Sequence, residues 1–195
     1  LKEDASFNIE NYFPSIIAEF KALGRDVVIT KKEKRNFGKV ESAFLKDDTH
    51  VYNLAFQTEK SLKIKIEVDT KPPLGFGTEQ KLLLQPFSFM TRCVTLPDLF
   101  AGKMHALIYL KWGQRVKGRD WYDFEWYVRN GVPLDFEHFR QRALEFNSED
   151  LSKEDFLKML TERLATTDIN AVRNDVLPFI KNPSELDIWS NDYFV

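Results

Sequence analysis

A chain of 195 residues that is 43% hydrophobic can bury one sizeable core, so its length calls for no second independent domain. A net charge of -2 and a pI near 6.0 provide no global basic footprint, which confines any nucleic-acid contact to a local patch such as Lys111 to Arg119. The single cysteine, Cys93, excludes an intramolecular disulfide and a thiol-built zinc site and fits a reducing cytoplasm, and no apolar run reads as a membrane span or a signal peptide.

The chain opens on Leu1, and LKEDASFN leads towards a helix as if from an element already in progress, so a fragment of a longer protein is expected. Asn8 or Glu10 starts a helix through IENYFPSIIAEFKAL, with Pro14 tolerated in its first turn and Gly24 as the stop. Ile9, Phe13, Ile16, Ile17 and Phe20 form its apolar stripe. From Arg25 the period changes to two through DVVITKK, VESAFLKD, VYNLAFQ and SLKIKIEVD, which predicts antiparallel strands joined by short turns. KPPLGFG cannot continue a sheet and reads as a loop, after which KLLLQPFSFM and the residues around Arg92 to Thr95 return to strand-like character.

From Leu96 onward the spacing is helical, through LPDLFAGKMHALIYLKW, GRDWYDFEW, FEHFRQRALEF, KEDFLKMLTERLA and INAVRNDVLPFI, with Pro133, Pro178 and Pro183 as punctuation. Trp189, Tyr193 and Phe194 in the tail are expected to dock onto the body. Strands first and helices second is the pattern of an α+β protein, without internal repeats or low-complexity segments.

The candidate chemistry lies where polar groups interrupt these patterns. Lys103 has Leu99, Phe100, Ala106 and Leu107 as its helical neighbours, so its ammonium either snorkels to an edge or faces a cleft, set against phosphates or a carboxylate of the next helix. Asp120 and Asp123 stand at the start of that next helix after a basic approach of Arg115, Lys117 and Arg119, an arrangement suited to something anionic. Asp120 has a plain structural role open to it, satisfying the orphan amides of the helix start. Asp123 adds like charge one turn on, which Arg119, Lys103 or a ligand cation would neutralise.

Alternation along Ser61 to Asp69 puts Lys63, Lys65, Glu67 and Asp69 on one face. The two carboxylates are then about 7 Å apart, too far to chelate one ion together but placed for one to bind metal while the other supports it. The plainer alternative is a solvated face with Lys65 and Glu67 weakly paired. His50, His105 and His138 show no transition-metal spacing, the aromatic cluster from Trp121 to Tyr127 reads as core, and Walker-type, nucleophile-elbow and dinucleotide signatures are absent.

IKIEVDTKPP, LPDLFAGKMHALIYLKW, VKGRDWYDFEWYV and the closing LDIWSNDYF resemble the later motifs of the AbiEii/AbiGii-type nucleotidyltransferase toxin family, over nearly the whole chain. The resemblance implies an α+β fold with a nucleotidyltransferase-like mixed sheet core, largely antiparallel here, followed by a helical lobe: residues 1–95 as a partial sheet lobe and 96–195 packed on it as one compact unit. It implies a cytoplasmic toxin of a bacterial toxin–antitoxin or phage-abortive-infection system. Such an enzyme transfers a nucleotide from a nucleoside triphosphate with magnesium, to an acceptor such as transfer RNA, under control of a cognate antitoxin. By resemblance Lys103, Asp120, Asp123 and Glu67 are the catalytic set, with Asp120 foremost; Arg119, Lys65 and Lys117 meet the phosphates, and Asp69 is a metal ligand.

The family's first motif, a Gly-Ser or Gly-Gly turn and helix leading to an Asp-x-Asp strand, does not occur in these residues and is expected just upstream of Leu1. Most magnesium ligands would then lie outside these 195 residues, which alone are expected to transfer nucleotide very slowly or not at all. The alternative is a non-catalytic, truncated relative acting as an RNA- or antitoxin-binding module. A phosphohydrolase is disfavoured, since neither a metal-spaced histidine set nor a nucleophile is visible.

Overall fold

The computed structural model describes residues 6–31, 49–56, 63–69, 75–85, 87–110 and 116–195, and the chain divides into two compact units, Leu1–Leu74 and Gly75–Val195. Its secondary structure is that of an α+β protein.

The first unit begins as the sequence predicts. The Asn8 side chain accepts the Glu10 amide at 2.9 Å and opens a 3₁₀ turn, Ile9–Tyr12, that runs into α1, Phe13–Ala22. Pro14 falls in the first turn of α1, where its missing N–H leaves no helix bond unmade, and Gly24 ends the segment at φ +70°. The expected stripe is only half-covered: no residue of α1 is fully buried, and Ile17 is 37% exposed. Strands β1 (Val27–Lys31), β2 (Thr49–Phe56) and β3 (Lys63–Asp69) form an antiparallel sheet in that order. In its register Val28 faces Ala55, Tyr52 faces Ile66 and Val51 faces Glu67. The predicted strand VESAFLKD lies outside the described residues.

The second unit opens with a hairpin, β4 (Thr78–Leu83) against β5 (Phe89–Val94), with Leu83 opposite Phe89. The strand-like run KLLLQPFSFM is therefore interrupted by a reversal between the two strands. Pro86, inside that run, has no amide hydrogen to give a ladder.

Helices follow: α2 (Leu96–Tyr109), α3 (Gly118–Arg129), α4 (Phe136–Asn147), α5 (Lys153–Thr166), α6 (Ile169–Val176) and the short α7 (Asn191–Phe194). Their starts are chemically marked. Asp135 caps α4, Ser152 and Asp155 form a reciprocal capping box on α5, Asp168 caps α6 and Ser190 caps α7. Pro178 converts the end of α6 into the 3₁₀ turn Leu177–Phe179. Ala101 and Met104 of α2, Trp121 of α3, Phe139 of α4 and Val172 of α6 are buried to within 1% of full exclusion and form the centre of the core. The tail docks through Trp189 and Phe194, whose ring meets Trp121 edge-on at 5.0 Å. Tyr193 instead stays 42% exposed and donates its hydroxyl to Glu125 at 2.8 Å.

Candidate active site

Helices α2 and α3 pack together and bring three of the predicted residues into one cluster. Lys103 projects from the middle of α2, its Nζ 2.5 Å from Asp123 Oδ2 and 3.7 Å from Asp120 Oδ1. Lys117, immediately before α3, reaches the same Asp120 oxygen at 3.6 Å. The lysine and Asp123 are partly open to solvent, whereas the Asp120 side chain is only 4% exposed. Asp120 Oδ1 is buried and makes no hydrogen bond, so two ammonium groups hold it by charge from just beyond bonding distance.

Burial dominates the electrostatics of Asp120. It pushes the carboxyl above the usual carboxylate range, against the pull of Lys117 and Lys103 and with a further push from Asp123. For Lys103 burial works downward, but the hydrogen bond and charge of Asp123, followed by the charge of Asp120, outweigh it and leave the ammonium above its ordinary pKa. Tyr127, stacked on Phe100 at 4.6 Å, has its phenol raised by burial and by the nearby Asp123 charge.

The start of α3 is fixed by close backbone contact. A Cβ on Gly118 would lie 2.2 Å from the Val172 carbonyl oxygen of α6, so only glycine allows this approach. The Gly118 N–H donates to Asp175 Oδ2 of α6 at 2.9 Å, while the preceding Lys117 provides no side-chain cap. Asp120 Oδ1 thus satisfies no amide of its own helix.

Arg119 is placed elsewhere: it is exposed, with its guanidinium over the Phe179 ring at 5.1 Å, and forms no ion pair with Asp123. Glu67 and Asp69 share a face of β3 by alternation, in the other unit; the side chains of Lys65, Glu67 and Asp69 lie outside the description, as do residues 111–115 of the basic approach. Among the described residues no group of three or more His, Cys, Asp or Glu is arranged to hold a metal ion.

Sequence reasoning missed two carboxylates that bond backbone amides far along the chain, Asp175 and the buried Asp98. Asp175 was invisible because its partner is 57 residues away. Asp98, 3% exposed, accepts the Gly77 N–H at 3.0 Å and the Thr95 hydroxyl, pinning the entry to α2; the Thr-x-x-Asp spacing of a capping box was its available signal.

A lysine from one helix set against a paired acid at the head of the next is a polar site built into an apolar helical core. The family profile described as "Nucleotidyl transferase AbiEii toxin, Type IV TA system" matches residues 4–192, which makes the class that of nucleotidyl transferase toxins. The chain belongs to the AbiEii family of type IV toxin–antitoxin systems. No curated protein matches it. Among the described residues no helix is long and apolar enough to cross a membrane.

Proposed function

We propose that the protein transfers a nucleotide from a nucleoside triphosphate to an acceptor hydroxyl, with transfer RNA as the acceptor and a cognate antitoxin as the controlling partner. The observation that carries this reading is Asp120, a buried acid whose Oδ1 makes no hydrogen bond and stands between two ammonium groups, in a chain of the AbiEii family.

In the reaction the acceptor oxygen bonds to the α-phosphorus, the bridge to the β-phosphate breaks, and pyrophosphate leaves. Lys103 exchanges Asp123 for the triphosphate and neutralises charge that builds on its oxygens. Lys117, immediately before α3, adds a second positive charge beside Asp120. Asp120 takes the proton of the attacking hydroxyl, a task for which burial makes it a stronger base than an ordinary carboxylate. Asp123 holds Lys103 until the triphosphate arrives.

Magnesium requires hard oxygen donors, and Asp120 Oδ1, which no protein donor hydrogen-bonds, suits it. A bound magnesium ion would neutralise charge on the triphosphate.

Labelled nucleoside triphosphates, offered one at a time with bulk transfer RNA to the protein expressed from its complete reading frame, test the reading. Label should enter the RNA and fall by about a thousandfold in Lys103→Ala. Absence of incorporation, or incorporation indifferent to Lys103→Ala, would overturn it; absence with antitoxin binding retained is the behaviour of a non-catalytic module.

A further inference from the structure

Helix α3 begins without a cap of its own. The first turn of any helix leaves amide hydrogens without intrahelical partners, and an acid three residues into the helix commonly turns back to satisfy one of them. Asp120 occupies that position, and its buried Oδ1 makes no hydrogen bond. The Gly118 amide is instead taken by Asp175 at 2.9 Å, from a helix pressed so close that a side chain at Gly118 would strike its backbone. Asp175 also sets a carboxylate at the positive end of the α3 dipole, so both needs of that helix start are met from α6.

We propose that Asp175 is a positioning residue for the active site: by capping α3 from α6 it leaves the Asp120 carboxylate to face Lys103 and Lys117. Removing the Asp175 carboxylate makes Asp120 the nearest acceptor for the amides of its own helix. Its oxygens then turn towards the helix start and away from the two lysines. The catalytic part of this inference rests on the nucleotidyl-transfer reading of the site; the geometric part does not.

The test compares Asp175→Ala with Asp175→Asn, whose amide oxygen still accepts the Gly118 N–H. In Asp175→Ala kcat for nucleotide incorporation into bulk transfer RNA should fall by roughly tenfold to a hundredfold with KM for the triphosphate little changed, and Asp175→Asn should recover most of it. A carboxyl NMR titration gives the second readout, independent of activity. In Asp175→Ala the Asp120 pKa should drop, because a carboxylate that accepts helix amides is favoured in its charged form. An unchanged kcat in Asp175→Ala, or equal losses in both variants with matching losses of Tm, would overturn the positioning role. If the unaltered protein incorporates no label, the transfer reading fails, and the titration alone decides: an Asp120 pKa that does not move in Asp175→Ala overturns the inference.

Discussion

Lys103 and His105 stand two positions apart on α2, both in an apolar pattern, and the fold treats them in opposite ways. His105 is 1% exposed, donates to Asn147 Oδ1 at 2.9 Å and lies 4.9 Å from the Tyr109 ring. Burial pulls its pKa down to about 4, so it is neutral and its Nε2 is satisfied. Lys103 keeps its charge and faces an acid pair, one member of which is buried with an oxygen that no hydrogen bond satisfies. A neutral, bonded polar group belongs to the packing. A charged cluster that burial opposes is a burden on stability, which is the usual mark of a working site.

The comparison breaks first at Lys103. Lys103→Ala carries the largest expected effect, the thousandfold loss of transfer described above, while stability should change by only about 1 kcal/mol, because the Lys103–Asp123 pair is partly solvated. A large fall in Tm would return Lys103 to a structural role.

The next effect lies in acid and belongs to His105. The unfolded chain binds a proton at His105 below its ordinary pKa of 6.5, whereas the folded protein refuses it until about 4. Stability is therefore complete above 6.5 and declines as the pH falls through that window, by about 2 kcal/mol at pH 5. Urea unfolding at neutral pH and near pH 5 checks this, and His105→Gln should flatten the difference without altering transfer. An equal acid sensitivity in His105→Gln would show that His105 titrates as an exposed group does.

The smallest effect is expected at Glu125, which receives the Tyr193 hydroxyl at 2.8 Å and the Trp189 indole N–H at 3.3 Å. Glu125→Ala should cost about 1 kcal/mol and loosen the tail first, seen as faster amide exchange after residue 186, with transfer unchanged.

What was legible in the sequence was local. Helical spacing foretold α4, α5 and α6, and Pro14 and Gly24 bounded α1 as expected. The β4–β5 reversal was not read, because KLLLQPFSFM is apolar on both sides of the turn and hides the break in period. Within the site, Lys103, Asp120 and Asp123 were legible because consecutive helices place them face to face. Arg119 was equally suggestive by spacing, yet it sits over Phe179, a contact that depends on how α6 ends. The Gly118–Asp175 contact, between residues far apart in the chain, has no signature short of the folded structure.

Asp120→Asn, with transfer rate and Tm measured on the same preparation, tests the central claim most directly. The substitution keeps the shape and removes a charge that burial holds at a disadvantage. The rate should fall by about a hundredfold or more, with Tm unchanged or raised by up to about 3 °C. A retained rate, or a loss of rate matched by a loss of Tm, would contradict the account.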